Sequence, residues 1–343
     1  MCGIAGVYLR DPKAKADLDG MLDTMLDEIE HRGGDATGFV AFGSEGVTEW
    51  QKAACDVRDF TKHRRRVPKG TRTILAHTRW ATQGLPAFIE NNHPLKRGSF
   101  YVIHNGHVSN DHKLFELANR ERYGQVDSEA IPARFASLGK LSAATQVMSE
   151  IEGAAAIAAV DESKPDELVL ARGYSSPLFV LQTKRYVIWG STVKTVKATY
   201  EDHIGRLPKR QKIEQVKQGV VLHWKDGKLT RKTFKPYQAP KVTYTLPKVT
   251  LPWSDVTPQL PSPSTSWERD EDVLDCDACG LTISWKEMEY RWDDEDKTTY
   301  QLCTDCDAMW EYDAIPVARN RAADIVYESF DEVNAAILDE DAE

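Results

Sequence analysis

Cysteine is scarce in this chain, with six in 343 residues. That is too few for a disulfide scaffold at this length, and four of the six fall in two CxxC pairs, leaving Cys2 and Cys55 as singletons. Long hydrophobic runs are also missing. No stretch approaches the roughly 18 to 20 apolar residues of a membrane span, and the first ten residues carry neither the basic start nor the apolar block of an export signal. These absences predict a cytoplasmic protein without a membrane partner. A G-x-x-x-x-G-K-S/T loop is absent as well, which excludes the P-loop way of cradling phosphates.

What remains is a globular composition, 41% hydrophobic and 28% charged, enough to fill one large core or two smaller ones. The net charge of −9 is unevenly spread. Residues 275 to 343 hold 20 acidic and 5 basic side chains, net −15, so the remainder carries +6.

The apolar pattern predicts a strand over Gly3–Leu9, then a helix behind an Asp17 cap in which Leu18, Leu22, Met25, Leu26 and Ile29 recur at helical spacing. Further strand-like runs are TGFVAF, RTILAHT, SFYVIHN, AAAIAAV, ELVLAR and YVIWGS, with helix-like stretches at 128–138, 142–152 and 192–200. Many strands and few crossover-length helices predict stacked sheets flanked by helices. Near Gly227 the character changes, because residues 236–263 carry seven prolines, and proline both fixes φ and removes ladder donors. The expected units are a main domain at 2–232, a proline-rich linker at 233–272, a cysteine module at 273–312, and an amphipathic helix with an acidic tail at 313–343.

The chemistry gathers where strands end. The chain opens MCGIAGVY, and Cys2 offers a thiol that reacts as thiolate beside an α-amine, which with a pKa near 8 is a base poised for neutral pH once Met1 is removed. Taken alone, Cys2 reads first as a buried core thiol at a strand start. HRGGDATGF at 31–39, HTRWATQG at 77–84, HNGHVSN at 104–110 and VDSEAI at 126–131 each put polar groups and glycines at the end of an apolar segment. Singly, Arg79 suits a surface ion pair, Asp127 a helix cap, and Asn105 with Gly106 a hairpin turn.

In order, CGI, HRG, HTRWAT, NxHP, HNG, DSE and LVLARG with SPLFV resemble the class II glutamine amidotransferases, amino-terminal-nucleophile hydrolases that release ammonia from glutamine. TRWAT looks most like the glutaminase domain of glucosamine-6-phosphate synthase. The resemblance covers roughly residues 2–225 and implies an α+β fold, a four-layer αββα sandwich. It implies that Cys2 attacks the side-chain amide of glutamine to form a glutamyl thioester. Asn105 and the Gly106 N–H would stabilise the oxyanion, Arg79 and Thr82 would hold the substrate carboxylate, Asp127 its ammonium, and Trp80 would sit on a closing loop. The chain departs from the family at Gln83, where a loop histidine is usual, and at HNGHV in place of HNGII. His31, His93 and His104 also match family positions and are expected to serve packing and hydrogen bonding.

Known multi-domain relatives carry an attached acceptor synthase, for which the residues after the linker are too few, so a separate ammonia-accepting protein is the expected partner, or else the acceptor is absent, which would leave a plain glutaminase. CDAC at 276–279 and CTDC at 303–306 have the spacing of a zinc ribbon, with Cys276, Cys279, Cys303 and Cys306 on one structural Zn2+ and no cofactor for catalysis. Its net −15 surroundings, with DDED at 293–296, would repel phosphates, so protein docking is expected rather than nucleic-acid binding. KHRRR at 62–66 is the one cluster expected to suit phosphate, or else a solvated loop. Two other readings stay open: a binding or scaffold protein on a degenerate glutaminase fold, and an amidohydrolase of another substrate.

Overall fold

In the computed structural model, residues 2–11 and 13–239 are described, together with the backbone of four short strands further on, 273–275, 282–284, 288–293 and 298–303. The main body begins with β1 (Gly3–Leu9), α1 (Leu18–Ile29), the hairpin β2 (Ala36–Gly43) and β3 (Gly46–Ala53), α2 (Val57–His63) and β4 (Thr73–Arg79). Next come β5 (Leu95–Arg97), β6 (Phe100–Gly106), the helices α3 (Asp111–Ala118), α4 (Ala130–Leu138) and α5 (Ala144–Glu150), then β7 (Ala155–Asp161) and β8 (Glu167–Arg172). The last run is β9 (Phe179–Gln182), β10 (Tyr186–Gly190), α6 (Val193–His203), β11 (Ile213–Gln215), β12 (Val220–Lys225) and β13 (Lys228–Thr233).

Two antiparallel sheets result, one in the order β11-β9-β10-β1-β4-β2-β3 and one in the order β13-β12-β8-β7-β6-β5. Strand alternation sends β1 side chains both ways: Ala5, Val7 and Leu9 join a cluster with α1 residues such as Leu22 and Met25, while Ile4 and Tyr8 meet Ile103 and Leu170 of the other sheet. Because both faces are covered, the strand reads as an unbroken apolar run. The second sheet is covered in turn by α3, α4 and α5, through Leu114, Ile131, Phe135 and Val147. Helices, sheet, sheet, helices: this is the expected αββα order, and burying each large aliphatic side chain contributes roughly 1.5–3 kcal/mol to it.

The expected strand over Gly3–Leu9 and the Asp17-capped helix are present, with Asp17 Oδ1 accepting from Gly20 N at 3.2 Å. The change of character near Gly227 is a tight turn, with Asp226 and Gly227 both at positive φ (49° and 71°), leading into the polar edge strand β13. Of the cysteine module, Cys276, Cys279 and Cys306 lie outside the described residues, as do the linker from residue 240 and everything after Cys303; of Cys303 only the backbone is described. Val273–Asp275 pairs with Thr282–Ser284, and Met288–Asp293 with Thr298–Cys303, both antiparallel. No described helix is long and apolar enough to cross a membrane.

Candidate active site

The site is built where β1 starts and where β4 and β6 end. Cys2 immediately precedes β1, half-buried, its Sγ 3.6 Å from the Trp80 carbonyl oxygen. The HRGG turn fixes this approach: Arg32 Nε donates to the Cys2 carbonyl (3.2 Å), and the Ala81 N–H donates to Asp35 Oδ2 (2.7 Å). A Cβ on Gly33 would lie 2.4 Å from the Arg79 carbonyl carbon and 2.5 Å from Trp80 N, so only glycine lets the two segments touch.

Arg79 is buried, yet it is not a surface ion-pair partner. Its Nη1 donates to Asn92 Oδ1 (2.9 Å), and its Nη2 donates to the carbonyls of Gln83 (2.5 Å) and Gly84 (2.7 Å). Burial lowers its pKa, and the neighbouring Cys2, Asp35 and Asp127 act in the opposite direction, which places these groups around one guanidinium. Both Nη2 hydrogens are committed to loop carbonyls. The expected two-pronged grip on a carboxylate therefore requires one of those carbonyls to give way, and as it stands Arg79 buttresses the loop that carries Trp80 and Thr82. Trp80 is half-buried, its carbonyl against the Cys2 sulfur, and Thr82 is exposed.

Asn105 and Gly106 close β6, paired with Ala156 and Ala155 in the sheet, so they do not form a hairpin turn. Asn105 is 1% exposed, and among the described residues neither its Oδ1 nor its Nδ2 has a hydrogen-bond partner. Leaving a buried amide unpaired costs about 1–3 kcal/mol, which is tolerable where a ligand will supply the partner. Gly106 has φ +140°, and a Cβ there would sit 2.0 Å from the Ala154 carbonyl oxygen. Asp127, also buried, opens a short turn but caps no helix with its side chain. It accepts from Val108 N at 2.5 Å and lies 3.2 Å from His107 Nδ1. Burial would raise its carboxyl, but hydrogen bonds from His107 and Val108 hold it below the usual carboxylate range.

The histidines divide. His77 and His93 stack with centroids 4.0 Å apart, His77 Nε2 lies 3.1 Å from the His104 carbonyl, and His104 Nδ1 lies 2.7 Å from Ser128 Oγ. Burial pushes His77 down to about 3 and His104 to about 4, and drives His93 well below its ordinary value. Burial thus favours the neutral ring in all three; His77 joins β4 to β6 through its bond to the His104 carbonyl, whereas His93 is held by stacking, neither of its ring nitrogens having a hydrogen-bond partner among the described residues. His31 is exposed on its turn.

Sequence reading missed the strap over this site. Gln83 Nε2 donates to the Gln125 carbonyl (2.8 Å), Gln125 N donates to Asn91 Oδ1 (2.6 Å), and Asn92 Nδ2 donates to the Pro86 carbonyl (2.7 Å). The pair Asn91–Asn92 before His93 was the available signal. Gln83, standing where the family has histidine, works here as a neutral latch. Among the described residues no cluster of His, Cys, Asp and Glu is arranged to hold a metal.

An αββα body with a cysteine at the first strand, a buried unpaired amide, and a buried arginine and a buried aspartate beside it has the fold of an amino-terminal-nucleophile hydrolase. Two solved structures share the fold: a glutamine phosphoribosylpyrophosphate amidotransferase from B. subtilis (TM-score 0.55, 18% identity, 68% of this chain and 49% of that one) and an allosteric regulatory enzyme of purine biosynthesis (TM-score 0.54, 19% identity, the same coverage). Residues 79–198 match the glutamine amidotransferase domain family. The chain is 36% identical over 190 residues (52% of this chain) to glutamine-fructose-6-phosphate aminotransferase (isomerizing) of Symbiobacterium thermophilum, and 30% identical over 245 residues (68% of this chain) to that of Listeria monocytogenes. It spans only 30% and 39% of those two relatives. This chain therefore carries a class II glutamine amidotransferase domain, an enzyme domain homologous to those of glutamine-hydrolysing enzymes.

Proposed function

We propose that this chain is the glutamine-hydrolysing subunit of an amidotransferase whose ammonia acceptor is a separate protein. With Met1 removed, the Cys2 α-amine takes the thiol proton and passes it to the departing ammonia. The sulfur attacks the amide carbon of glutamine, ammonia leaves, and water cleaves the resulting thioester to glutamate. Asn105 Nδ2 and the Gly106 N–H receive the oxyanion, a donor set typically worth ~3 kcal/mol per member. Arg79 and Asp127 face the carboxylate and ammonium of the substrate head group, with Thr82 and Trp80 carried on the loop above. The observation that carries this reading is the unpaired buried amide of Asn105, on the strand end tied through His104 and Ser128 to Asp127. Purified protein should release glutamate from glutamine, and Cys2→Ala should abolish that release.

The main domain at 2–232, the linker and the tail units belong to the same proposal. Four thiolates suit a closed tetrahedral zinc site, which supplies folding energy and no catalysis. In this reading Cys276, Cys279, Cys303 and Cys306 hold such an ion. The module would dock the acceptor protein in the cytoplasm. Affinity capture with the full chain, scored by an enzyme whose product gains nitrogen from glutamine only in its presence, tests this.

A further inference from the structure

At the end of β1 away from Cys2, where Arg10 leaves the strand, a cavity of ≈ 530 Å³ carries Arg10, Lys184, Arg210, Lys212 and Arg231 on its walls against one carboxylate, Glu214. Arg10 donates to the carbonyls of Gly227 and Thr183, so no carboxylate offsets its charge. The other four cations are exposed and form no ion pair among the described residues. The charge extends beyond the cavity: residues 206–235 hold ten Lys and Arg against Glu214 and Asp226, net +8. KHRRR at 62–66 is no rival, because Arg64 is spent on Asp19 (2.7 Å) and Asp23 (2.8 Å). A field of this size attracts anions.

The complement lies in the same sequence. Residues 322–343 hold eight Asp and Glu and no Lys or Arg, net −8. We propose that this acidic segment is the ligand of the basic cavity, bound within its own chain. The tether starts at the right place: β13 supplies Arg231 to the cavity, and the chain leaves directly from it, Phe234 N donating to the Gly219 carbonyl at 2.8 Å. Residues 240 to 321, 82 in all, lie between the body and this segment, a sequence separation that leaves room for a return to the cavity. Because both partners lie on one chain, docking is intramolecular, which favours even a weak contact. The docked segment also screens the cavity against foreign polyanions, which must displace eight carboxylates to enter. Seven residues of β1 separate this end from Cys2, about 20 Å at strand rise, so docking leaves the glutamine end open.

Zero-length carbodiimide coupling of the full chain tests this, using an equal mixture of light and heavy isotope-labelled protein and peptide mass spectrometry. Links are expected between Lys184 or Lys212 and carboxylates of 322–343, of like isotope. Their yield should fall about tenfold in Arg210→Gln/Arg231→Gln, and likewise at about 0.5 M salt. Both arginines are exposed, so the thermal midpoint should not move. Asp339→Asn/Glu340→Gln/Asp341→Asn should cut the yield by a similar factor from the other side. Missing links at low salt, or links chiefly between light and heavy copies, would overturn the proposal. So would equal protection of the cavity lysines by added RNA in the full chain and in the Asp339/Glu340/Asp341 variant, since the acidic segment would then not compete.

Discussion

Asn105→Ala separates a catalytic amide from a structural one. The side chain is 1% exposed with both polar atoms unpartnered among the described residues, so truncation breaks no hydrogen bond in the resting protein. Deleting an unpaired amide relieves about 1–3 kcal/mol of desolvation cost, and the small void left behind costs about as much. Net stability should stay within about 1 kcal/mol, or roughly 2–4 °C in Tm for a body of this size. If the amide meets the oxyanion, the same change removes ~3 kcal/mol from the transition state and lowers kcat by about 10²–10³-fold with little change in KM. Coupled glutamate release and thermal unfolding, measured on one preparation, give both numbers. A large fall in Tm with activity nearly intact would refute the reasoning.

Gly106→Ala should fail for a different reason, its Cβ 2.0 Å from the Ala154 carbonyl at φ +140°, so activity and Tm should both drop, by several kcal/mol in stability by denaturant titration. Arg79→Lys keeps the charge but cannot make the bonds to Asn92, Gln83 and Gly84 together; KM for glutamine should rise by more than about tenfold, with faster proteolysis of the loop at 80–92. Acid stability should fall in two steps. His77, His93 and His104 have folded pKa values below the unfolded 6.5, so the unfolded state takes up protons first and stability is lost from pH ~6.5 down towards ~4. Asp127, held below the ordinary carboxylate range, contributes stability above its unfolded pKa that goes only at lower pH; denaturant titrations at stepped pH check the order.

Much of the frame was legible because it depends on local pattern. The run GIAGVYL and the Asp17-capped helical spacing gave β1 and α1 to the residue, since period and cap are written in neighbouring positions. Beyond local pattern, legibility faded. Helix α3, DHKLFELA, has too short an apolar face to stand out, and β13, KLTRKT, is a polar edge strand that only its pairing with β12 reveals. At the site, residue types in order named Cys2, Arg79, Asn105 and Asp127, but not what surrounds them. That Arg32 and Asp35 hold the Cys2 and Ala81 backbones and that Gln83 latches onto Gln125 each join residues 30 or more positions apart, while the turn of Arg79 Nη2 back onto the Gln83 and Gly84 carbonyls depends on a loop conformation that no periodicity encodes. The basic cavity was hidden because its five cations come from four separate segments.

Everything in the proposed chemistry depends on sulfur at the second residue acting with the amine beside it. Acid-quenching full-length protein during glutamine turnover and mapping its peptides tests this directly. A glutamyl group should appear on the amino-terminal peptide, on Cys2, and only in molecules that begin at Cys2. Full-rate hydrolysis by protein that retains Met1, or a glutamyl group mapped to any other residue, would contradict it.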